Sequence, residues 1–194
     1  DTPGYFDFVG EVEEAVAAAD AAIIVVSGKD GIQVGTQKAW ELCEKYNLPR
    51  MFFVTEMDID DVSYRKVVEE LTELYGKKIA PLHMPIREEG KFVGYVNIVK
   101  QAGRRYIERG QKKECPVPEY LQEYLEQYHE TLMESVAEIS EEFMDRYFAG
   151  EAFSVAEVSA ALKMNISDGS IVPVCMGSTI NIQGVATLLD DICG

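Results

Sequence analysis

Three short polar loops of this sequence carry residues that could bind a phosphorylated ligand. Asp1-Thr2-Pro3-Gly4 opens the chain, whereas Thr55-Glu56-Met57-Asp58 and Gly177-Ser178-Thr179 each follow an apolar run. The first loop has the pattern D-x-x-G, in which the aspartate can reach a magnesium ion through water and the glycine N–H can approach a terminal phosphate. Such a tetrapeptide is common, so the surrounding elements decide what the pattern means.

The elements around these loops predict an α/β fold. Apolar runs at 21–26 and 51–54 are typical of buried parallel strands, and helical spacing of apolar residues covers 8–19, 36–47 and 62–76. This alternation implies a parallel sheet with helices on its faces, and in such sheets the chemistry lies at the carboxyl ends of the strands. Here the strand ends are Ser27-Gly28 and the loop that begins at Thr55.

The alternating pattern stops near residue 76 and returns near residue 171. Between them, 79–110 is typical of a meander with a turn at Glu88-Glu89-Gly90, and a long acidic helical stretch then runs from Pro118 to about Gly150. Ser154 and Glu157 form a capping-box pattern that opens a further helix. We therefore predict a core of residues 1–76 and 167–194, interrupted by an inserted α+β subdomain at 77–166.

Charge and cysteine content restrict the class of protein. The formal net charge of −16 would repel phosphate backbones, which argues against direct DNA or RNA binding by most of this surface. The charge fits solubility or a basic protein partner. No apolar run approaches the length of a membrane span. The four cysteines form no C-x-x-C pair, which argues against a zinc site, and buried free thiols at Cys43 and Cys175 fit a reducing, cytoplasmic setting.

Four longer segments of the sequence resemble the GTPase domain of bacterial elongation factor G and its close relatives. The resemblance rests on "DTPGYFDFVGEVEEAV", "AADAAIIVVSGKDGIQVGTQKAW", "LYGKKIAPLHMPIREEGKFVGYVNIV" and "IVPVCMGSTINIQGVATLLDDIC". It implies a P-loop GTPase-type, mainly parallel sheet with an inserted subdomain. It also implies GTP/GDP and Mg as cofactors and a role in ribosomal translocation. The sequence lacks the P-loop pattern G-x-x-x-x-G-K-[ST], so we expect a fragment that starts at the family's third nucleotide motif and is not competent for hydrolysis alone.

The resemblance also implies roles for individual residues. Asp1, reaching Mg through water, and Gly4, at the γ-phosphate, would act within a GTP-binding loop that includes Thr2, Pro3 and Tyr5. The segment from Asp1 to about Ala19 would be the second switch. Thr55, Glu56, Met57 and Asp58 would read guanine, and Gly177, Ser178 and Thr179 would support the base through backbone contacts. The implied partners are the ribosomal stalk protein and the GTPase-associated region, for which exposed Glu134, Glu138, Glu141 and Glu142 would be the residues to test. A merely solvated acidic face is the alternative.

Two departures from the family pattern leave alternatives open. Tyr5 stands where the family has the histidine that positions the attacking water. A phenol with a pKa of about 10 is a poor base, so either hydrolysis is slow or Tyr5 marks a sub-branch with equivalent function. Thr55 and Glu56 replace the asparagine and lysine of the guanine loop, which predicts weakened binding unless the change is incidental. A ribosome-protection GTPase and a non-catalytic ribosome-binding paralogue with a decayed guanine site are the rival functions.

Overall fold

The computed structural model describes residues 1–2, 6–108 and 111–193. A short 3₁₀ turn at Phe6–Phe8 leads into the first α-helix. The strands are β1 (Ala22–Ser27), β2 (Arg50–Thr55), β3 (Ile79–Pro81), β4 (His83–Glu88), β5 (Lys91–Asn97), β6 (Ala102–Tyr106), β7 (Lys112–Cys115) and β8 (Val172–Met176). The helices are α1 (Val9–Ala18), α2 (Val34–Lys45), α3 (Tyr64–Tyr75), α4 (Glu119–Ala137), α5 (Glu141–Phe148), α6 (Val155–Ser167) and α7 (Val185–Cys193).

The first sheet is parallel and has the strand order β1-β2-β8-β3. Its central strands β2 and β8 are apolar and largely buried, as is usual for parallel strands covered on both faces. The predicted α/β class with a parallel sheet is therefore confirmed. Strand β8 lies directly beside β2 although more than 100 residues separate the two strands in the chain. The carboxyl ends of β2 and β8 therefore lie next to each other.

The second sheet is an antiparallel meander in the order β4-β5-β6-β7. The turn between β4 and β5 has positive φ at Glu89 (49°) and Gly90 (81°), which is the backbone of a tight two-residue hairpin. The meander predicted for this segment is confirmed. A β-bulge interrupts the β4–β5 register between Ile86 and Arg87, and it affects how Arg87 meets the site described below.

The first sheet extends beyond the boundary predicted at residue 76. Strand β3 pairs in parallel with β8, through Ile79 with Val172 and Pro81 with Val174, so 79–81 belong to the first sheet and not to the meander. At the other boundary, Ile171 joins the hydrophobic cluster of the second sheet. The division into core and insertion stays a prediction, with its first boundary moved past Pro81.

The acidic helical stretch predicted from Pro118 to about Gly150 is confirmed as helical and consists of two helices. It divides into α4 and α5, and the Ser140 hydroxyl accepts a hydrogen bond from the Phe143 N–H at 3.2 Å, which is an N-cap and therefore a new helix start. The predicted capping box at Ser154 is confirmed, since the serine and Glu157 bond each other's backbone reciprocally.

Two hydrophobic clusters hold these layers together. The first joins the parallel sheet to α2 and α3 and includes Trp40, whose ring stacks on that of Tyr75 with centroids 3.9 Å apart. The second lies between the meander, α4 and α6 and includes Val136 and Leu162. No helix in the described part of the chain combines the length and apolar character needed to cross a membrane.

Candidate nucleotide-binding site

Two of the three predicted loops lie together at the carboxyl edge of the first sheet. Ser27 is the register partner of Thr55, and Val54 is the partner of Met176, so three strands end at the same level. Beyond them the Met57 N–H donates to the Gly177 carbonyl at 3.2 Å, and the Gly177 N–H donates to the Val54 carbonyl at 2.9 Å. The loops after β2 and β8 are therefore fastened to each other by their backbones.

Close backbone approach requires glycine at two of these strand ends. The Gly28 N–H donates to the Thr55 carbonyl at 3.0 Å, and a Cβ on Gly28 would lie 2.7 Å from that oxygen. A Cβ on Gly177 would lie 2.4 Å from the Gln183 carbonyl oxygen. Any side chain at either position would push the loops apart, so the glycines permit the compact edge.

The loop after β8 is held by its own hydrogen bonds. Ser178 is fully buried, and its backbone exchanges two bonds with Gln183 at 2.8 and 2.9 Å. The Ser178 hydroxyl accepts a bond from the Asn181 N–H at 3.2 Å. Because the Ser178 side chain is used inside the loop while Thr179 is exposed, Thr179 is the member of the predicted pair that is accessible to a ligand.

The loop after β2 has an unusual feature at Glu56. Glu56 has a positive φ of 62°, and its carboxylate accepts a hydrogen bond from the Ser27 hydroxyl at the end of β1. The Ile59 N–H bonds the Glu56 carbonyl at 3.1 Å and closes a turn around half-buried Asp58. Among the described residues, no hydrogen bond or ion pair to the Asp58 carboxylate is formed, so this group could accept N–H groups of a base, as a guanine reader must. Glu56 does not fit the lysine's task, because its shorter side chain is negatively charged and bonded to Ser27.

The sequence did not single out Ser27 or Arg87 as site residues. The Arg87 guanidinium, from the second sheet, donates to the Met57 carbonyl at 2.9 Å. Burial lowers the pKa of Arg87, and the nearby Asp60 carboxylate opposes this shift. Ser27 did have a signal, because the sequence places it at the end of a buried strand, whereas nothing in the local sequence links Arg87 to a loop 30 positions away.

The first predicted loop is only partly described. Asp1 and Thr2 are exposed, and among the described residues no hydrogen bond or ion pair joins them to the other two loops. Pro3, Gly4 and Tyr5 lie outside the described residues. The following helix α1 has no buried residue and is tied to α2 by an ion pair between Glu13 and Lys45. Among the described residues of the predicted switch helix, half-buried Val16 is the one that packs against the hydrophobic cluster of the parallel sheet.

A second polar cluster lies where β4, β8 and α7 meet. His83 and Cys175 are buried, and the Cys175 thiol donates to an Asp191 carboxylate oxygen at 3.4 Å, which is also 3.6 Å from His83 Nδ1. Burial lowers the pKa of His83 to about 3 and raises the pKa of Asp191 to about 6. The donor atoms of the three residues lie within 4.8 Å of one another, so the set must be weighed as a metal site.

Hydrogen bonding around Asn97 argues against metal binding by this cluster. The Asn97 Oδ1 accepts from the Lys100 N–H at 2.8 Å, so its Nδ2 is the atom that lies 3.2 Å from His83 Nε2. An imidazole nitrogen that accepts a bond leaves the proton on the other nitrogen. His83 Nδ1 therefore carries the proton toward Asp191 and has no lone pair for a metal ion.

Comparisons with known proteins agree with the fold and with the predicted resemblance. The family model described as the elongation factor Tu GTP binding domain matches residues 1–194. A crystal structure of a protein from Thermus thermophilus superposes with a TM-score of 0.90 at 35% sequence identity, and the match covers 99% of this chain. The chain spans 29% of the length of that Thermus chain. The resemblance is confirmed at the level of a translational GTPase-type, GTP-binding domain, and the narrower assignment to elongation factor G stays a prediction. The chain belongs to the elongation factor Tu GTP binding domain family.

Proposed function

We propose that this chain is part of a cytoplasmic translational GTPase that binds GTP with magnesium and couples hydrolysis to ribosomal translocation. The observation that carries the proposal is the backbone junction between the loops of Met57 and Gly177. It forms the edge at which a parallel α/β sheet binds ligands, and it carries Asp58 in a chain that matches a GTP-binding family throughout.

Each predicted residue then has a proposed role. Asp58 would accept the N–H groups that distinguish guanine, with Thr55, Glu56 and Met57 forming its loop. Gly177, Ser178 and Thr179 would support the base through their backbone. Because the N–H groups of Gly177 and Ser178 are already bonded to Val54 and Gln183, exposed Thr179 is the residue of the three that would contact the base. Asp1 would hold Mg through water and Gly4 would approach the γ-phosphate, in a loop that includes Thr2 and Pro3. Tyr5 would orient the attacking water through its hydroxyl, because a phenol is too weak a base to ionise that water at neutral pH.

We propose the ribosomal stalk protein and the GTPase-associated region of the ribosome as partners. Glu134 on α4, Glu138 in the turn after it, and Glu141 and Glu142 on α5 are all exposed, in a chain with a net charge of −16. A surface of this sign attracts a basic protein face and steers its approach. Reversing the charge of two of these glutamates should slow association with ribosomes and weaken its dependence on salt, while leaving GDP binding unchanged.

The Ser27–Glu56 hydrogen bond favours a second candidate function. It fixes a carboxylate at the position where the family lays an aliphatic stem across the base, and the loss of each such contact costs on the order of 1 kcal/mol. A non-catalytic ribosome-binding paralogue with a decayed guanine site would carry this feature.

Titration of fluorescent GDP into the full-length protein separates the two functions. The unmodified protein is compared with Glu56→Lys, with ATP as competitor, and with Glu138→Lys as a control that makes the same charge change on an exposed site far along the chain. Tight binding that GTP but not ATP displaces supports the translational GTPase. Negligible binding that Glu56→Lys restores and Glu138→Lys does not would refute it in favour of the decayed site.

A further inference from the structure

Arg87 makes two side-chain hydrogen bonds, and one of them reaches out of the second sheet. Its Nη2 donates to the Met57 carbonyl at 2.9 Å, and its Nη1 donates to the Gly90 carbonyl at 2.6 Å. The bond to Gly90 fixes the guanidinium against the hairpin of its own sheet. The bond to Met57 therefore links that hairpin to the loop after β2. Hydrogen bonds from a charged donor are the stronger kind.

Tyr120, in the first turn of α4, fixes the backbone of Arg87. The tyrosine hydroxyl accepts from the Arg87 N–H and donates to the Arg87 carbonyl, both at 3.0 Å. These bonds fall at the bulge between Ile86 and Arg87, where the β4–β5 register shifts. A bulge re-aims the side chain that follows it, and here that side chain is the one that reaches Met57.

Met57 is consequently bonded on both of its backbone groups by different parts of the protein. Its N–H bonds Gly177 at 3.2 Å, its carbonyl accepts from Arg87, and its side chain is fully buried. The residue on its carboxyl side is Asp58. The backbone that leads into Asp58 is therefore held by two anchors, one from the loop after β8 and one from the second sheet.

We propose that Arg87, held by Tyr120, is a positioning residue that sets the Met57–Asp58 backbone for base selection. The proposal rests on the proposed function, since it assigns to the second sheet and α4 a role in the selectivity of that same site. Arg87 touches no base in this scheme and acts only through the loop. The alternative is that the contact merely contributes to folding stability.

The test uses the full-length protein with Arg87→Met, which keeps a long side chain and removes both donors, and with Tyr120→Phe, which removes only the hydroxyl. Arg105→Met is the matched control, because Arg105 lies on β6 of the same sheet, two strands away from β4, and pairs with exposed Glu88. The readout is the ratio of dissociation constants for inosine diphosphate and GDP, which differ in the exocyclic amine that Asp58 would recognise. A loss of folded protein weakens both ligands equally and leaves the ratio unchanged.

We expect the ratio to fall about threefold to tenfold in Arg87→Met, because a displaced Asp58 would lose the equivalent of one ordinary hydrogen bond to the exocyclic amine. Tyr120→Phe should lower it less, and Arg105→Met should leave it unchanged. An unchanged ratio in Arg87→Met overturns the role in base selection.

Amide hydrogen exchange of residues 56–59 without nucleotide distinguishes this failure from failure of the proposed function. Faster exchange in Arg87→Met and Tyr120→Phe, but not in Arg105→Met, supports positioning of the loop even if the unmodified protein does not select GDP. Exchange equal to that of the unmodified protein overturns positioning whatever the nucleotide result. Absence of guanine selectivity in the unmodified protein counts against the proposed function alone.

Discussion

Replacing His83 by glutamine should change how the stability of the protein depends on pH. His83 is 2% exposed, and burial, with help from Lys112 and Lys100, lowers its pKa from 6.5 to about 3. Below pH 6.5 the unfolded chain therefore takes up a proton at this residue while the folded chain does not. Stability contributed by the neutral imidazole is fully present above pH 6.5 and is lost as the pH falls toward 3.

The size of this loss of stability follows from the difference between the pKa of His83 in the folded chain and in the unfolded chain. Each unit of pKa difference corresponds to about 1.4 kcal/mol, so acidification from near pH 7 to near pH 4 should cost the protein roughly 2 to 3 kcal/mol through His83. Glutamine does not titrate and retains an oxygen that can accept from Asn97. The destabilisation caused by His83→Gln should therefore be largest near neutral pH and shrink by that amount near pH 4.

Titration of Asp191, in the same cluster, should change the stability of the protein with pH in the direction opposite to that of His83. Burial raises the pKa of Asp191 from 3.8 to about 6, against the thiol hydrogen bond from Cys175, which lowers it. Here the folded chain binds the proton first, so the protonated carboxyl contributes stability below pH 3.8 that is lost as the pH rises through 6. The cost of Asp191→Asn should consequently grow on acidification, opposite to the cost of His83→Gln.

Urea unfolding at several pH values measures both effects. A His129→Gln background removes the only other histidine, so that His83 is the sole imidazole that titrates. If the cost of His83→Gln is the same at pH 7 and pH 4, His83 is not kept neutral by burial and the hydrogen-bond assignment around Asn97 is wrong.

Two further predictions concern the backbone of the site and one helix start. Gly177→Ala should destabilise by about 1–3 kcal/mol, because its Cβ would lie 2.4 Å from a backbone carbonyl oxygen. Gly35→Ala, in α2 with nothing within 4 Å of the added methyl, should stabilise by about 0.5–1 kcal/mol, and equal urea midpoints for the two alanine variants would contradict the steric argument. Ser154→Ala should cost about 1 kcal/mol through loss of the α6 capping box, which thermal unfolding would detect as a lower midpoint; an unchanged midpoint would mean that the cap does not stabilise the helix.

The sequence predicts the first sheet well because its signals are local. Strands β1 and β2 are short, unbroken apolar runs between helices of clear period, and parallel pairing follows from that alternation. Strand β3 was missed because Ile79–Pro81 is only three residues long, and its membership depends on pairing with β8 far along the chain. The break before α5 did have a local signal, since Ser140 precedes two glutamates as an N-cap commonly does.

The sequence predicts which loops form the candidate site, because those loops follow recognisable strands, but it does not predict the contacts between them. Thr55–Asp58 and Gly177–Thr179 follow buried strands, and parallel order brings such ends to one edge. The bonds that shape this edge join Ser27 to Glu56 across 29 positions and Arg87 to Met57 across 30. Neither pair has a sequence period or motif, because each arises from tertiary packing of elements whose own patterns are ordinary.

Under the proposed function, affinity and selectivity at this edge rest on different residues. Asp58 owes its place to the anchors on Met57, whose N–H bonds Gly177 and whose carbonyl bonds Arg87, and neither anchor involves the side chain at position 56. The Glu56 carboxylate accepts a hydrogen bond from Ser27, so Glu56 does not make the stacking contact that the aliphatic stem of a lysine would make with any purine. Substitution of Glu56 thus changes the affinity for all purine nucleotides, whereas the preference for guanine depends on Asp58 and on the two hydrogen bonds that hold the Met57 backbone. A site of this construction can bind weakly and still discriminate.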